Sequence, residues 1–165
     1  MREVLVDSQM RSPVRLIAPS LVESYRQAIY LIHAEGGDIV MKVGKTSPQL
    51  SALMQSRKVA SAAFITAFNP FSSALSAHEN ELRHRALLSD LTSLGLELLS
   101  GEGRDCENLW PSETSVLALG ISLETAELLA KRYEQNAFIW IPSNEGLVEL
   151  NLLLPVSSEA PINGG

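Results

Sequence analysis

AAFITAFNPFSSALSAHENELRHRALLSDLTSLGLELL (residues 62–99) is an apolar run, a stop, a capped helix and a second apolar run. Ala62 to Phe68 shows no polar alternation, so it reads as a strand covered on both faces. Asn69-Pro70 ends it, because proline disfavours a regular continuation. Ser76 with Glu79 three residues later forms a capping box, which opens a helix that runs to about Leu94 and stops at Gly95. Leu96 to Leu99 is the next strand, closed by Gly101 and Gly103. After an irregular loop with Trp110 and Pro111, Thr114 to Leu119 is a strand, Ser122 caps a helix to about Tyr133, and Ala137 to Ile141 is a strand again. Strand, helix, strand, strand, helix, strand is the split βαβ order of a ferredoxin-like α+β sandwich. Element order leaves strand order open, so a three-layer α/β sandwich on a mixed sheet is the competing architecture.

Working outward, Ser20 to Arg26 is a short helical turn. Ala28 to Ala34 and Ile39 to Val43 flank Gly36-Gly37-Asp38 as an amino-terminal hairpin. Pro48 stands at the first helical position of a helix reaching about Arg57, where its missing N–H is harmless. Leu147 to Leu154 follows the Pro142 to Gly146 turn as an extra carboxy-terminal strand. Residues 1–19 read as a flexible lead-in, 20–154 as one globular α+β domain, and 155–165 as a flexible tail.

Composition narrows the function classes. Apolar residues make up 45% of the 165, and no apolar run is long enough for a membrane span, which fits a globular protein with its own core. Thirteen Lys and Arg against 19 Asp and Glu leave a formal charge of -6, which works against nucleic-acid binding. Cys106 is the single cysteine, and Met1 to Ser20 lacks the apolar core of a secretory signal, so a reducing cytoplasm is the expected setting.

The candidate site comes from polar residues on an apolar stripe. At 100° per residue, Leu87, Leu91 and Leu94 mark the inward face of the Ser76 to Leu94 helix, and the same stripe continues back through Asn80, Arg83 and His84. A helix that only packed would carry leucine there. The preceding loop, Asn69-Pro70-Phe71-Ser72-Ser73, leads small side-chain donors into a helix amino terminus, which favours anions and carbonyl oxygens. A second cluster runs from Gly103 through Asp105 to Trp110, Glu113 and Ser115, with Glu113 and Ser115 on one strand face. Asp105 and Glu113 form a carboxylate pair suited to acid–base work or to a hard divalent ion. The bland alternatives are turn and cap hydrogen bonds for Asn69, Ser72 and Ser76, solvated salt-bridge partners for the acids, and a left-handed helix end at Asn136, next to Gln135.

Three motifs carry less than they promise. Gly44-Lys45-Thr46 resembles the end of a phosphate loop, but Ile39 stands where its first glycine belongs and the residues between read as a strand. Cys106 has no nearby histidine and reads as an ordinary thiol. His33, His78 and His84 lack metal-ligand spacing, so no zinc site is expected.

Taken together, Phe64-Ile65-Thr66-Ala67, Asn69-Pro70, Ser72, Glu79-Asn80, Gly103-x-Asp105, Trp110-x-x-Glu113-x-Ser115, Leu119-Gly120-Ile121 and Gln135-Asn136-Ala137-Phe138 resemble the bacterial family known as domain of unknown function 3293, over roughly Tyr25 to Leu150. The resemblance implies shared polar positions at Asn69, Ser72, Asn80, Asp105, Glu113 and Gln135; the family has no assigned chemistry, so it carries no catalytic role over to any of them. Two functional readings stand. The first is a domain that binds a polar or anionic small molecule, with hydrolysis or group transfer as the fitting chemistry. In it Arg83 holds an anionic group, Asn69, Ser72, Asn80, Ser115 and Gln135 bind and orient, and Asp105 or Glu113 acts as base or metal ligand. The second is a non-catalytic protein–protein interaction module in which the same residues brace one another. Whether the protein is an enzyme, which cofactor it takes and its oligomeric state are left open by the sequence.

Overall fold

The computed structural model describes residues 14–158. Its elements in order are α1 (Pro19–Gln27), β1 (Ile29–Ala34), β2 (Gly37–Met41), α2 (Pro48–Ser56), β3 (Ala62–Thr66), a short 3-10 turn (Pro70–Ser72), α3 (Ala77–Ser93), β4 (Glu97–Arg104), β5 (Glu113–Leu119), α4 (Leu123–Arg132), β6 (Ala137–Ile141) and β7 (Glu149–Leu152). The seven strands form one sheet in the order β2-β1-β4-β5-β3-β6-β7. Every neighbouring pair is antiparallel, so the fold is α+β and the mixed sheet of the competing architecture is not what forms.

The continuous apolar runs are explained by cover on both sheet faces. Ala63, Ile65, Ala67, Val116, Ala118 and Phe138 pack against Leu87 and Leu91 of α3 and Ala126, Leu129 and Ala130 of α4. The alternate residues, Ala62, Phe64, Leu117, Leu119, Ile139 and Ile141, pack with Leu50 and Met54 of α2 and with Ile32, Ile39 and Met41 of the hairpin. A strand with apolar side chains on both faces gains from both layers, at about 1.5–3 kcal/mol for each large side chain removed from water. Serine starts three of the helices: Ser47, Ser76 and Ser122 each accept a backbone N–H from the third residue along.

Several boundaries differ from expectation for physical reasons. β4 runs through Gly101 and Gly103 instead of ending before them. A Cβ on Gly101 would lie 2.3 Å from Leu31 O and 2.5 Å from Phe64 Cε1, so this glycine permits close packing inside a strand. Leu94 is the C-cap of α3 and is 51% exposed, so the apolar stripe ends at Leu91. Part of the expected lead-in and tail, residues 1–13 and 159–165, lies outside the described residues. Ile17 is buried, and the Ile17 N–H donates to Pro155 O at 2.9 Å while Ser157 N donates to Ile17 O at 2.8 Å. No helix among the described residues is long and apolar enough to cross a membrane.

This topology gathers the candidate segments at one end of the sheet. Thr66, the last residue of β3, pairs with Ser115, and Gly103 near the end of β4 pairs with Glu113, the first residue of β5. Tyr30, early in β1, pairs with Gly103 from the other side. The β3–α3 loop, the β4–β5 connection and the α4–β6 turn therefore meet there.

Candidate functional site

The β3–α3 loop is built on strained backbone. Asn69, Phe71 and Ser72 have left-handed φ angles of 49°, 51° and 61°, uncommon for residues with a Cβ and costing on the order of 1 kcal/mol each. Hydrogen bonds hold them there. Phe71 N donates to Glu134 O at 2.6 Å, and Asn69 N donates to Asn80 Oδ1 at 2.9 Å. Asn80 Nδ2 donates back to Asn69 Oδ1 at 2.8 Å, and Leu75 N donates to the same oxygen at 3.1 Å. With Oδ1 of Asn69 occupied twice, its amide nitrogen is left to face Glu113, donating to Oε2 at 3.4 Å.

A cavity of about 670 Å³ opens beside this network, within the size range of small-molecule sites. Asn69, Ser72, Asn80, Asp105, Glu113, Ser115 and Gln135 all line it. Arg83 does not. Its guanidinium donates through Nε to Ala67 O at 2.7 Å and through Nη2 to Tyr133 O, and Nη1 lies 3.5 Å from Glu134. The role of anion holder foreseen for Arg83 is therefore replaced by that of a clamp between the end of β3 and the end of α4.

The remaining polar groups divide between braces and open positions. Gln135 Nε2 donates to Phe68 O and Tyr133 O, both at 3.0 Å, and Ser115 Oγ donates to Glu113 O at 3.0 Å. Asp105 Oδ2 accepts from Leu109 N at 2.7 Å and so closes a turn in the β4–β5 connection. Among the described residues, Asn69 Nδ2 is the one side-chain or backbone donor to the Glu113 carboxyl. Burial pushes that carboxyl up to about 7, with the Asn69 amide opposing the rise.

Sequence reasoning named Trp110 but missed the other aromatic walls of the cavity, and it gave Asn136 only a helix-end role. Tyr25, Tyr30, Phe64, Phe68, Trp110 and Phe138 line it. Tyr30 pairs with Gly103, which pairs on its other side with Glu113, and a Cβ on Gly103 would rest in ordinary contact with the tyrosine ring at 3.6 Å. Burial raises the Tyr30 phenol well above its ordinary value, with the Tyr25 phenol and Glu113 adding to the rise. Its hydroxyl donates to Tyr25 O at 2.6 Å. Asn136 is not the left-handed helix end; Glu134 takes that conformation, at φ 57°. The Asn136 amide instead donates to Tyr25 Oη at 3.1 Å and Ser72 Oγ at 3.2 Å, two hydroxyls that are 2.8 Å apart. A buried amide next to an apolar strand was the available signal for it; nothing local marks Tyr25 or Tyr30.

Other chemistry is sparse. Among the described residues no three His, Cys, Asp or Glu side chains group so as to hold a metal ion. Gly44 and Lys45 exchange backbone hydrogen bonds with Val148, which ties that segment to the chain ahead of β7. Cys106 is exposed. His33 pairs with Asp38 at 3.0 Å on the hairpin. His84 is buried on α3 with Nδ1 unpartnered, its ring edge-on to Phe68 at 6.3 Å.

Residues 65–138 match the model of the family described as "Protein of unknown function (DUF3293)". The matched stretch is shorter than the resemblance read from the sequence, yet it runs from β3 into β6 and includes Asn69, Ser72, Asn80, Asp105, Glu113, Ser115 and Gln135. No curated protein and no solved structure matches the chain.

Proposed function

With residues 65–138 assigned to a family whose description carries no activity, we propose from geometry alone that this protein binds a small molecule in the cavity at the Glu113 end of the sheet. One observation carries the reading: a 670 Å³ concavity combines aromatic walls with a half-buried carboxyl that has a single, long hydrogen bond. Ligand sites typically have this make-up, an apolar lining with few polar groups fixed in place. Asn69 and Asn136 present amides whose orientation is set by their other bonds, and Ser72 and Tyr25 present hydroxyls. Glu113 is the group fitted to move a proton, since its carboxyl titrates at about 7. Asp105 serves the loop, and Arg83 and Asn80 brace.

The interaction-module reading called for a closed, mutually bonded cluster. Asn80, Arg83 and Gln135 behave that way, but the open cavity beside them favours a ligand. For the core we keep the ferredoxin-like reading, supported by the strand order β4-β5-β3-β6 and by α3 and α4 on one face. Residues 20–154 are read as one domain, and the free thiol of Cys106 suits a reducing cytoplasm.

The test is a thermal-shift screen of the purified protein against uncharged, cationic and anionic small molecules. A ligand at a hundred times its Kd adds about 2.7 kcal/mol to stability. The expected outcome is a raised midpoint for at least one class, abolished in Glu113→Ala or Trp110→Ala. A hit that persists in both variants would place the ligand elsewhere.

A further inference from the structure

Resting on that reading of the cavity, we infer that its ligand is an organic cation, an aromatic or apolar body carrying a protonated nitrogen that pairs with Glu113. The charges lining the cavity are Glu113, Asp105 and Arg104, with the phenols of Tyr25 and Tyr30 beside them. Arg104 is already matched, its Nη2 lying 2.8 Å from Glu102 Oε1. Arg83 is committed to Ala67 O and Tyr133 O. Among the described residues, then, the cavity has no cation to spare for an anionic ligand, and Asp105 and Glu113 repel one.

The surroundings of Glu113 separate a cation from a neutral molecule. A neutral carboxylic acid needs an acceptor for its proton, whereas a carboxylate needs donors. The protein supplies Glu113 with a donor, Asn69 Nδ2 at 3.4 Å, whose orientation is locked because Asn69 Oδ1 is taken by Asn80 Nδ2 and Leu75 N. No acceptor among the described residues meets the carboxyl. This is the setting of a carboxylate whose counter-charge comes from outside the chain, because a buried charge left unpaired costs more than one whose partner and hydrogen bonds are in place. Among the described residues, burial and the Asn69 amide are what bear on its titration.

The walls fit the same ligand. Ring faces attract cations, most strongly when water is excluded, and Tyr25, Tyr30, Phe64, Phe68 and Trp110 line the cavity. Trp110 is 53% exposed, which places a large ring where an incoming ligand first meets the site. The formal charge of -6 draws cations toward the molecule as a whole.

Tryptamine, tryptophol and indole-3-propionate share an indole and differ in carrying a positive, neutral or negative end. Binding of each to the full chain is measured by calorimetry at pH 6 and pH 8 in two buffers of different ionisation heat. Tryptamine is expected to bind at least tenfold more tightly than tryptophol at pH 8, and indole-3-propionate not at all. At pH 6 tryptamine should release close to one proton per site and bind roughly tenfold more weakly, because it must displace the Glu113 proton. Glu113→Gln should bring tryptamine down to the level of tryptophol and abolish the proton release. Tryptophol binding as tightly as tryptamine, or tryptamine binding without proton release at pH 6, overturns the cation while leaving the cavity a binding site. If none of the three binds and the wider thermal-shift screen is also silent, the cavity reading itself falls. Silence of tryptamine alone beside a neutral or anionic hit from that screen overturns the inference only.

Discussion

Helices α3 and α4 lie on the same face of one sheet and begin in the same way, yet they bury different chemistry. Ser76 accepts from Glu79 N at 3.1 Å and Ser122 from Thr125 N at 3.2 Å. From there α4 buries Ala126, Leu129 and Ala130, whereas α3 buries Asn80 and His84 before it reaches Leu87 and Leu91. The second half of α3 and all of α4 hold the sheet; the first half of α3 holds a loop. The contrast shows how a polar residue on a core stripe can position a site without entering into its chemistry. The Asn80 amide fixes Asn69, and Asn69 in turn presents a donor to Glu113.

The largest effect belongs to the packing helix. Leu129→Ala in α4 should lower unfolding stability by about 2–5 kcal/mol, through lost burial and the cavity left behind, while ligand affinity of the folded protein stays unchanged. Urea unfolding followed by circular dichroism measures the first and calorimetry the second. If Leu129→Ala altered affinity as much as Asn80 variants do, the division between the two helices would not hold.

Next comes Glu113, where the sign reverses. Its carboxyl titrates at about 7 in the folded protein against 4.5 when unfolded, so the folded state binds the proton more tightly. The stability this contributes is complete below about pH 4.5 and is lost as pH rises through 7. Glu113→Gln removes the loss, and at pH 8.5 the variant should be more stable than the parent by about 2–3 kcal/mol, with little difference at pH 4.5. Equal midpoints for both proteins at both pH values would mean that Glu113 is solvated as an ordinary surface acid.

Asn80→Leu sharpens the comparison further. In a helix that only packs, leucine on the core stripe would stabilise. Here it strips Asn69 N of its acceptor and Asn69 Oδ1 of a donor, and a loss of about 1–3 kcal/mol is expected together with weaker ligand binding. A gain in stability from Asn80→Leu would turn the first half of α3 into plain core and remove its positioning role.

The ease of reading the two helices from sequence follows the same division. Periodicity placed Leu87 and Leu91 inward, and Ser76 with Glu79 and Ser122 alone marked the two helix starts, because these depend on neighbours within a turn or two. The inward position of Asn80 was legible on the same wheel. The direction of Arg83 was not, since α3 aims it at backbone carbonyls of Ala67 and Tyr133, the latter 50 residues along the chain. Gly101 read as a strand end because a glycine that admits Phe64 from a neighbouring strand looks in sequence like a glycine that turns. Asn136 and Tyr25 meet across 111 residues, and no local pattern encodes a contact of that span.

The smallest effect expected lies at His84, one turn along α3 from Asn80, and it can be seen only once Glu113 is silenced. His84 is buried with Nδ1 unpartnered against the edge of Phe68, and burial lowers its titration below 6.5, with Glu81 opposing weakly. The unfolded chain therefore takes up the His84 proton first as pH falls, and the folded state loses stability on going below about 6.5. Glu113 works in the opposite direction between about 4.5 and 7, so in the parent protein the two slopes offset each other. In the Glu113→Gln background the His84 slope should emerge as a fall in melting midpoint between pH 7 and pH 5. Adding His84→Phe, which keeps a ring of similar size and removes the orphan nitrogen, should flatten that slope and raise stability at pH 7 by about 1 kcal/mol. A flat midpoint in Glu113→Gln alone would place a hydrogen-bond partner or water beside His84, and the first half of α3 would then carry one polar anchor, Asn80, instead of an anchor and a buried neutral imidazole.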